Sequence, residues 1–105
     1  MNYRKYYTDT LFDVIGRQLH RQDGIPLKAV HQCEKSMHIH LPEALRTYYA
    51  VAGKLLMNRE HNVLYDPSEL VVMDGMLIFM EENQRVAFWA TKVGSCAADP
   101  TVYQG

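Results

Sequence analysis

Histidine and cysteine residues lie close together in one stretch of this 105-residue chain, where they could bind a metal ion. The His38-Ile39-His40 segment places two imidazoles on the same side of an extended backbone, and His31 and Cys33 lie shortly before it. These are typical zinc ligands, but their spacing differs from the standard Cys/His modules, and a further ligand would have to come from elsewhere. Solvated loop histidines are the simpler interpretation, so the sequence predicts no metal or other cofactor.

Glu81 and Glu82, together with His61, are the best candidates for acid and base catalysis. Such catalysis needs a positioned group whose pKa suits the reaction, whereas adjacent carboxylates in a turn normally point apart into solvent. The sequence also contains no nucleophile elbow and no phosphate-binding loop. We therefore predict that the protein is not an enzyme. The two carboxylates either form a solvated turn or belong to an acidic contact surface for a basic partner.

The composition indicates one folded domain that binds neither nucleic acid nor a membrane. Eleven Lys and Arg against twelve Asp and Glu leave a net charge of −1, without the basic stripe that binds phosphate backbones. The apolar runs 70–73 and 76–80 are far shorter than the roughly 20 residues that span a bilayer, and no signal-peptide core follows the polar N-terminus. We expect a cytoplasmic protein in which Cys33 and Cys96 remain reduced.

Three segments in the first half of the chain have helical periodicity. Thr8-Asp9-Thr10 caps the first helix, which ends near Gly24, a residue suited to a left-handed C-cap. Pro26 begins the second helix, and the third begins at Pro42 and ends at Gly53. The third helix has the clearest apolar face, which consists of Leu45, Tyr48, Tyr49 and Ala52.

The second half of the chain predicts strands at 63–65, 70–73, 76–80 and 85–90. Asp74-Gly75 and Glu82-Asn83-Gln84 are predicted turns between strands. The strand 76–80 is apolar at every position, which indicates a central strand covered on both faces. Together these patterns predict an α+β fold, in which N-terminal helices pack on a mostly antiparallel sheet in one domain spanning 1–105.

Aromatic residues provide two candidate contact regions. Alternation in strand 85–90 places Trp89 on the less apolar face, where it is either covered by the same chain or offered to a partner. The N-terminal segment contains Tyr3, Tyr6 and Tyr7 around Arg4 and Lys5, a composition enriched at protein interfaces. This segment either mediates a homodimer contact or folds back onto the first helix.

Short motifs between residues 30 and 105 occur in an order found in a known family. A Leu-Pro-x-x-Leu-x-x-Tyr-Tyr-x-x-x-Gly helix precedes a strand-rich half that ends in Asp-Pro-Thr-Val-Tyr. This order resembles the SUKH superfamily, which groups bacterial toxin-immunity proteins with fungal regulators of cell-wall synthesis. The matching residues are Leu41, Pro42, Leu45, Tyr48, Gly53, Trp89, Asp99, Pro100, Val102 and Tyr103.

The resemblance implies a SUKH-like α+β domain without catalytic machinery, whose usual role is to bind and neutralise a toxin enzyme. Family members generally continue into another strand and a C-terminal helix, so this chain is expected to be either a shortened form or a truncated one. The expected partner is a cognate toxin, such as a nuclease, and the alternative is a regulatory or scaffold module of the same fold. The residues predicted to contact the partner are Glu81, Glu82, Trp89 and Tyr103.

Overall fold

The computed structural model describes residues 1–60, 62–82, 84, 87–94 and 97–105. In these residues three α-helices precede an antiparallel sheet, which confirms the predicted α+β class. The helices are α1 (Tyr3–Ile15), α2 (Leu27–Met37) and α3 (Glu43–Ala52), and the strands are β1 (Asn62–Leu64), β2 (Val71–Met73), β3 (Met76–Glu82), β4 (Phe88–Lys92) and β5 (Tyr103–Gln104). The predictions that involve His61, Asn83, Arg85, Val86 and Cys96 lie outside the described residues.

Helix α1 differs most from its sequence prediction. It begins before the predicted Thr8-Asp9-Thr10 cap because Asn2 caps it, accepting a backbone N–H of the first turn at 3.0 Å. The Thr8 hydroxyl instead bonds a carbonyl one turn earlier, as threonine does inside a helix. The helix ends at Gly16, with φ of 74°, and not at Gly24. The N-terminal tyrosines therefore belong to α1 and do not fold back onto it. Within the described residues, no helix is long and apolar enough to cross a membrane.

Gly24 has a different role from the predicted left-handed cap, since its φ is −100°. A Cβ atom built on Gly24 would lie 1.9 Å from the carbonyl oxygen of Ala50 in α3. The next residue, Ile25, donates its N–H to the carbonyl of Tyr49 at 2.8 Å, which holds the two backbones together. The segment before α2 thus crosses α3 too closely for any side chain at Gly24.

The starts of α2 and α3 agree with the sequence prediction to within one residue. Pro26 and Pro42 lie immediately before the two helices, where a missing N–H costs no hydrogen bond. On α3, Tyr49 and Ala52 are fully buried, which confirms the predicted apolar face. The main core cluster joins this face to the sheet and consists of Ile25, Val30, Leu41, Tyr49, Leu64, Leu70 and Leu77.

Strand β3 is the central strand of the sheet. It pairs with β4 along one side and with β1 and β2 along the other, while β5 pairs with the far side of β4. The predicted Asp74-Gly75 turn joins β2 to β3 with φ of 52° and 75°, the left-handed pair that tight hairpins require. Only Leu77 of β3 is fully buried. The other residues of β3 are half-buried, so the predicted central position is confirmed, but the two faces of the strand are covered to different extents.

Candidate functional site

The two faces of the sheet differ in their surroundings. Leu77 on β3 and its partner Thr91 on β4 are both buried, and Leu77 belongs to the same core cluster as Tyr49 of α3. This face therefore points toward the helices. Neighbouring positions in a strand point the opposite way, while directly paired residues share a face. An apolar row thus crosses four strands on the opposite face, formed by Val71, Ile78, Ala90 and Tyr103, each paired with the next.

We call this surface the outer sheet face and define it by the apolar row together with Met73, Met76, Glu81, Phe88 and Lys92. Val71 is 40% exposed, Met73 58% and Tyr103 42%, while Ile78 and Phe88 are half-buried. The Lys92 ammonium lies 5.9 Å from the centroid of the Tyr103 ring. Large contiguous apolar surfaces rimmed by charged groups are typical of protein contact sites.

The four predicted contact residues lie at one end of the sheet but on both of its faces. Glu81 pairs with Phe88 and Tyr103 pairs with Ala90, so both lie on the outer sheet face. Trp89 lies two positions from the buried Ala87 and from the buried Thr91, and residues two apart on a strand share a face. Trp89 therefore lies on the side that faces the helices, where it is half-buried. Of the two alternatives given for Trp89, the structure shows the first, in which the side chain is partly covered by the same chain. 

Glu81 and Glu82 are the last two residues of β3. The prediction that they lie in a turn was therefore wrong. Adjacent positions on a strand point to opposite faces, so Glu82 lies on the side of the sheet away from Glu81. Glu81 accepts a hydrogen bond from the Tyr65 hydroxyl at 2.9 Å, which fixes its carboxylate beside Phe88. The structure thus places a single carboxylate, and not a carboxylate pair, on the outer sheet face.

A second feature is a cavity of about 490 Å³ between the helices and the sheet, which we call the interlayer groove. Its walls come from α1, α3, the sheet and the segment before β5. Six residues of the Leu-Pro and Asp-Pro-Thr-Val-Tyr motifs line it, which brings the two distant motifs together. The described lining residues are Tyr7, Pro42, Ala44, Leu45, Tyr48, Met57, Asn58, Asn62, Leu64, Phe79, Met80, Thr91, Asp99, Pro100 and Val102.

Several polar groups of the interlayer groove are engaged within the protein. The Tyr7 hydroxyl donates to the Ala44 carbonyl at 2.9 Å, and the Tyr48 hydroxyl donates to Oδ1 of Asn58 at 2.5 Å. Burial, with a smaller effect of the Asp99 charge, raises the pKa of Tyr7 to about 12. Tyr7 therefore stays a neutral donor at physiological pH and supports the start of α3.

The buried carboxylate of Glu34 joins α2 to α3, and α3 forms one wall of the interlayer groove. Glu34 is only 5% exposed, and its Oε2 accepts the Leu41 N–H at 2.7 Å and Nη2 of Arg46 at 3.0 Å. Its Oε1 contacts Nδ1 of His31 at 3.0 Å and Nε of Arg46 at 3.3 Å. Arg46 also donates to the Leu41 carbonyl at 2.9 Å, so both backbone groups of Leu41 are held.

Sequence reasoning missed Glu34 and Arg46, although one signal was present. Glu34 lies four positions after Val30 and therefore on the apolar face of α2, where an ionised group needs a buried partner. The partner, Arg46, is twelve residues further along the chain and belongs to another helix. The pattern indicated that a cation was needed but gave no means of choosing it.

The protein should lose stability in acid partly through Glu34. Burial by itself raises the pKa of this carboxyl, but the hydrogen bonds from Arg46 and from the Leu41 N–H outweigh it and hold the pKa below the ordinary value of 4.5. The resulting stabilisation is therefore complete above about pH 4.5 and is lost as the pH falls through the lowered pKa. We expect urea titrations to show a smaller loss of stability below pH 4.5 for Glu34→Gln than for the native chain. An equal loss in both proteins would contradict this role for Glu34.

The histidine and cysteine residues considered as metal ligands have other surroundings. His31 contacts Glu34, and His38 is the left-handed C-cap residue of α2, with φ of 57°. Burial, followed by the nearby charge of Asp66, raises the pKa of the Cys33 thiol, which favours the unreactive protonated form. Among the described residues, no group of three His, Cys, Asp or Glu side chains is arranged to hold a metal ion.

Comparison of the chain with protein-family models, with curated proteins and with solved structures gave no match.

Proposed function

We propose that this chain is a non-enzymatic binding protein that neutralises a toxin enzyme by covering it with the outer sheet face. The observation that carries this proposal is the apolar row Val71, Ile78, Ala90 and Tyr103, which runs across four strands and is partly exposed. Folding alone gains little from an apolar row on a solvated face, since antiparallel sheets normally carry polar residues there. A protein partner supplies the missing cover.

The chemistry of the outer sheet face fits a partner with an apolar patch bordered by a basic group. Phe88 and Tyr103 provide aromatic surface of the kind that anchors protein interfaces. The Glu81 carboxylate, oriented by the Tyr65 hydroxyl, lies beside Phe88 and favours a cation on the partner. The same face carries Lys92 beside Tyr103, so its two charges lie at separate points and Glu81 marks only one contact for a cation. The choice of a basic nuclease as the toxin therefore follows mainly from the resemblance to immunity proteins.

The second candidate function is a regulatory or scaffold module that uses the same surface for a cellular partner. Both functions need the outer sheet face, but only the first predicts that an enzymatic activity is blocked. The discriminating observation is therefore the activity of the bound partner, because binding alone fits either function.

The experiment uses the tagged chain as bait in lysate of its native cells, followed by mass spectrometry of proteins retained at moderate salt. Each captured polypeptide is then purified and assayed for nuclease and other toxin activities, with and without the chain. Our proposal predicts a toxin-bearing polypeptide whose activity disappears when one equivalent of chain is added. Captured partners whose activities do not change would contradict toxin neutralisation and favour the regulatory module.

A further inference from the structure

The interlayer groove has the dimensions and surface of a ligand site, separate from the outer sheet face. Its volume of about 490 Å³ lies within the range of known small-molecule sites, roughly 300 to 1,000 Å³. Leu45, Leu64, Phe79 and Met80 provide apolar walls from both layers. The Tyr7 and Tyr48 hydroxyls are already bonded to protein acceptors, so they offer a bound molecule mainly their rings.

One charged residue distinguishes this groove from a general apolar cleft. Asp99 is the only ionisable carboxylate, and the only fully charged side chain, among the described lining residues. It is exposed, and no cation of the described residues forms an ion pair with it. The lining therefore combines an apolar body with negative charge at an accessible point, a combination that selects against anionic molecules.

We propose that the interlayer groove binds a small amphipathic cation, whose hydrocarbon part lies between α3 and the sheet and whose ammonium group lies beside Asp99. Binding of the hydrocarbon part is favoured because its apolar surface is removed from water, and the walls of the groove offer few unpaired polar groups. The ammonium group adds attraction to Asp99 and gives the site its preference for one charge type. This proposal does not depend on the toxin-binding function.

Three probes that share one hydrocarbon tail test the preference: octylammonium, octanol and octanoate, each titrated calorimetrically below its micelle-forming concentration. We expect octylammonium to bind about fivefold more tightly than octanol, as for a partly solvated ion pair, and octanoate to bind most weakly. The advantage of octylammonium should shrink at high salt because exposed charges are screened. Equal binding of all three probes, or no saturable binding of octylammonium, would overturn the proposal.

Three variants locate the site. Asp99→Asn should remove the advantage of octylammonium and leave octanol binding unchanged, whereas Asp13→Asn, an exposed aspartate on α1 outside the groove, should keep the advantage. Val102→Trp should weaken all three probes, since Val102 is 50% exposed in the lining and a larger side chain there occupies the groove without disturbing the core. A preference for octylammonium that survives Asp99→Asn, or unchanged binding in Val102→Trp, would overturn the assignment.

Discussion

Replacement of Glu34 by alanine should lower the free energy of unfolding by about 4 kcal/mol, among the largest effects available in this protein. The Glu34 carboxylate receives the Leu41 N–H and two nitrogens of Arg46 in a site that is nearly closed to water. Without it, the Leu41 N–H loses its acceptor and the Arg46 guanidinium loses its counter-charge. The first loss is costly because Leu41 is only 3% exposed, and the second because the Arg46 side chain, 27% exposed, regains only part of its hydration. Urea unfolding followed by circular dichroism measures the change.

The matched control is Glu69→Ala, because Glu69 pairs with Arg59 at 2.7 Å while both side chains are more than half exposed. Surface pairs of this kind contribute roughly 0.2 to 1 kcal/mol, and the Glu69 carboxylate also accepts the Asp66 N–H at 3.0 Å, a capping contact worth about 1 kcal/mol. This variant should therefore lose about 1 to 2 kcal/mol, clearly less than Glu34→Ala. Glu34→Gln should be intermediate, since the amide oxygen can still accept the Leu41 N–H. If Glu34→Ala and Glu69→Ala lose similar amounts, Glu34 does not fix α2 against α3 as described.

Replacement of Gly24 by alanine should lower the free energy of unfolding by about 3 kcal/mol or more, because the new methyl group overlaps backbone atoms. Its Cβ would lie 1.9 Å from the Ala50 carbonyl oxygen and 2.7 Å from the Ala50 carbonyl carbon. Relief of this overlap requires the segment before α2 to move away from α3. That movement would break the hydrogen bond between the Ile25 N–H and the Tyr49 carbonyl. Thermal and urea unfolding provide the measurement.

Gly16→Ala is the control that separates steric overlap from backbone strain. Gly16 has φ of 74°, but no atom lies within 4 Å of its ideal Cβ. Alanine at this position is destabilised only by its left-handed backbone conformation, which lowers the free energy of unfolding by roughly 1 to 2 kcal/mol. We therefore expect Gly24→Ala to be clearly the less stable variant. The reverse order would mean that the crossing of α3 is looser than the structure indicates.

The sequence was sufficient to predict the helices and turns whose ends are marked by specific residue types. Pro42 and Gly53 bound α3 correctly, and Asp74-Gly75 identified the β2–β3 turn because both residues tolerate a positive φ. Helix α1 was misplaced because Thr8 and Asn2 both suit a cap, and local sequence does not decide between them. These successes and errors all concern interactions within a few residues.

The candidate surfaces depended on contacts that sequence does not specify. Alternation correctly separated Trp89 from Phe88 and Ala90, but apolar residues occupy both faces of the strand, so the pattern could not identify the face that meets the helices. The interlayer groove depends on how the segment before β5 packs against α3, where the Ala44 N–H donates to the Ala98 carbonyl at 3.0 Å. Such a contact joins residues more than fifty positions apart, and no periodic pattern encodes it.

The most direct test of the proposed function compares Val71→Asp with Val72→Asp in binding to the captured toxin. The two valines are neighbours on β2 with 40% and 43% exposure, but Val71 lies on the outer sheet face and Val72 pairs with the inward-facing Leu77. Our account predicts that Val71→Asp raises the Kd about 30-fold or more and abolishes neutralisation, while Val72→Asp stays within about twofold of the native chain. Equal Kd values for the two variants would contradict binding through the outer sheet face.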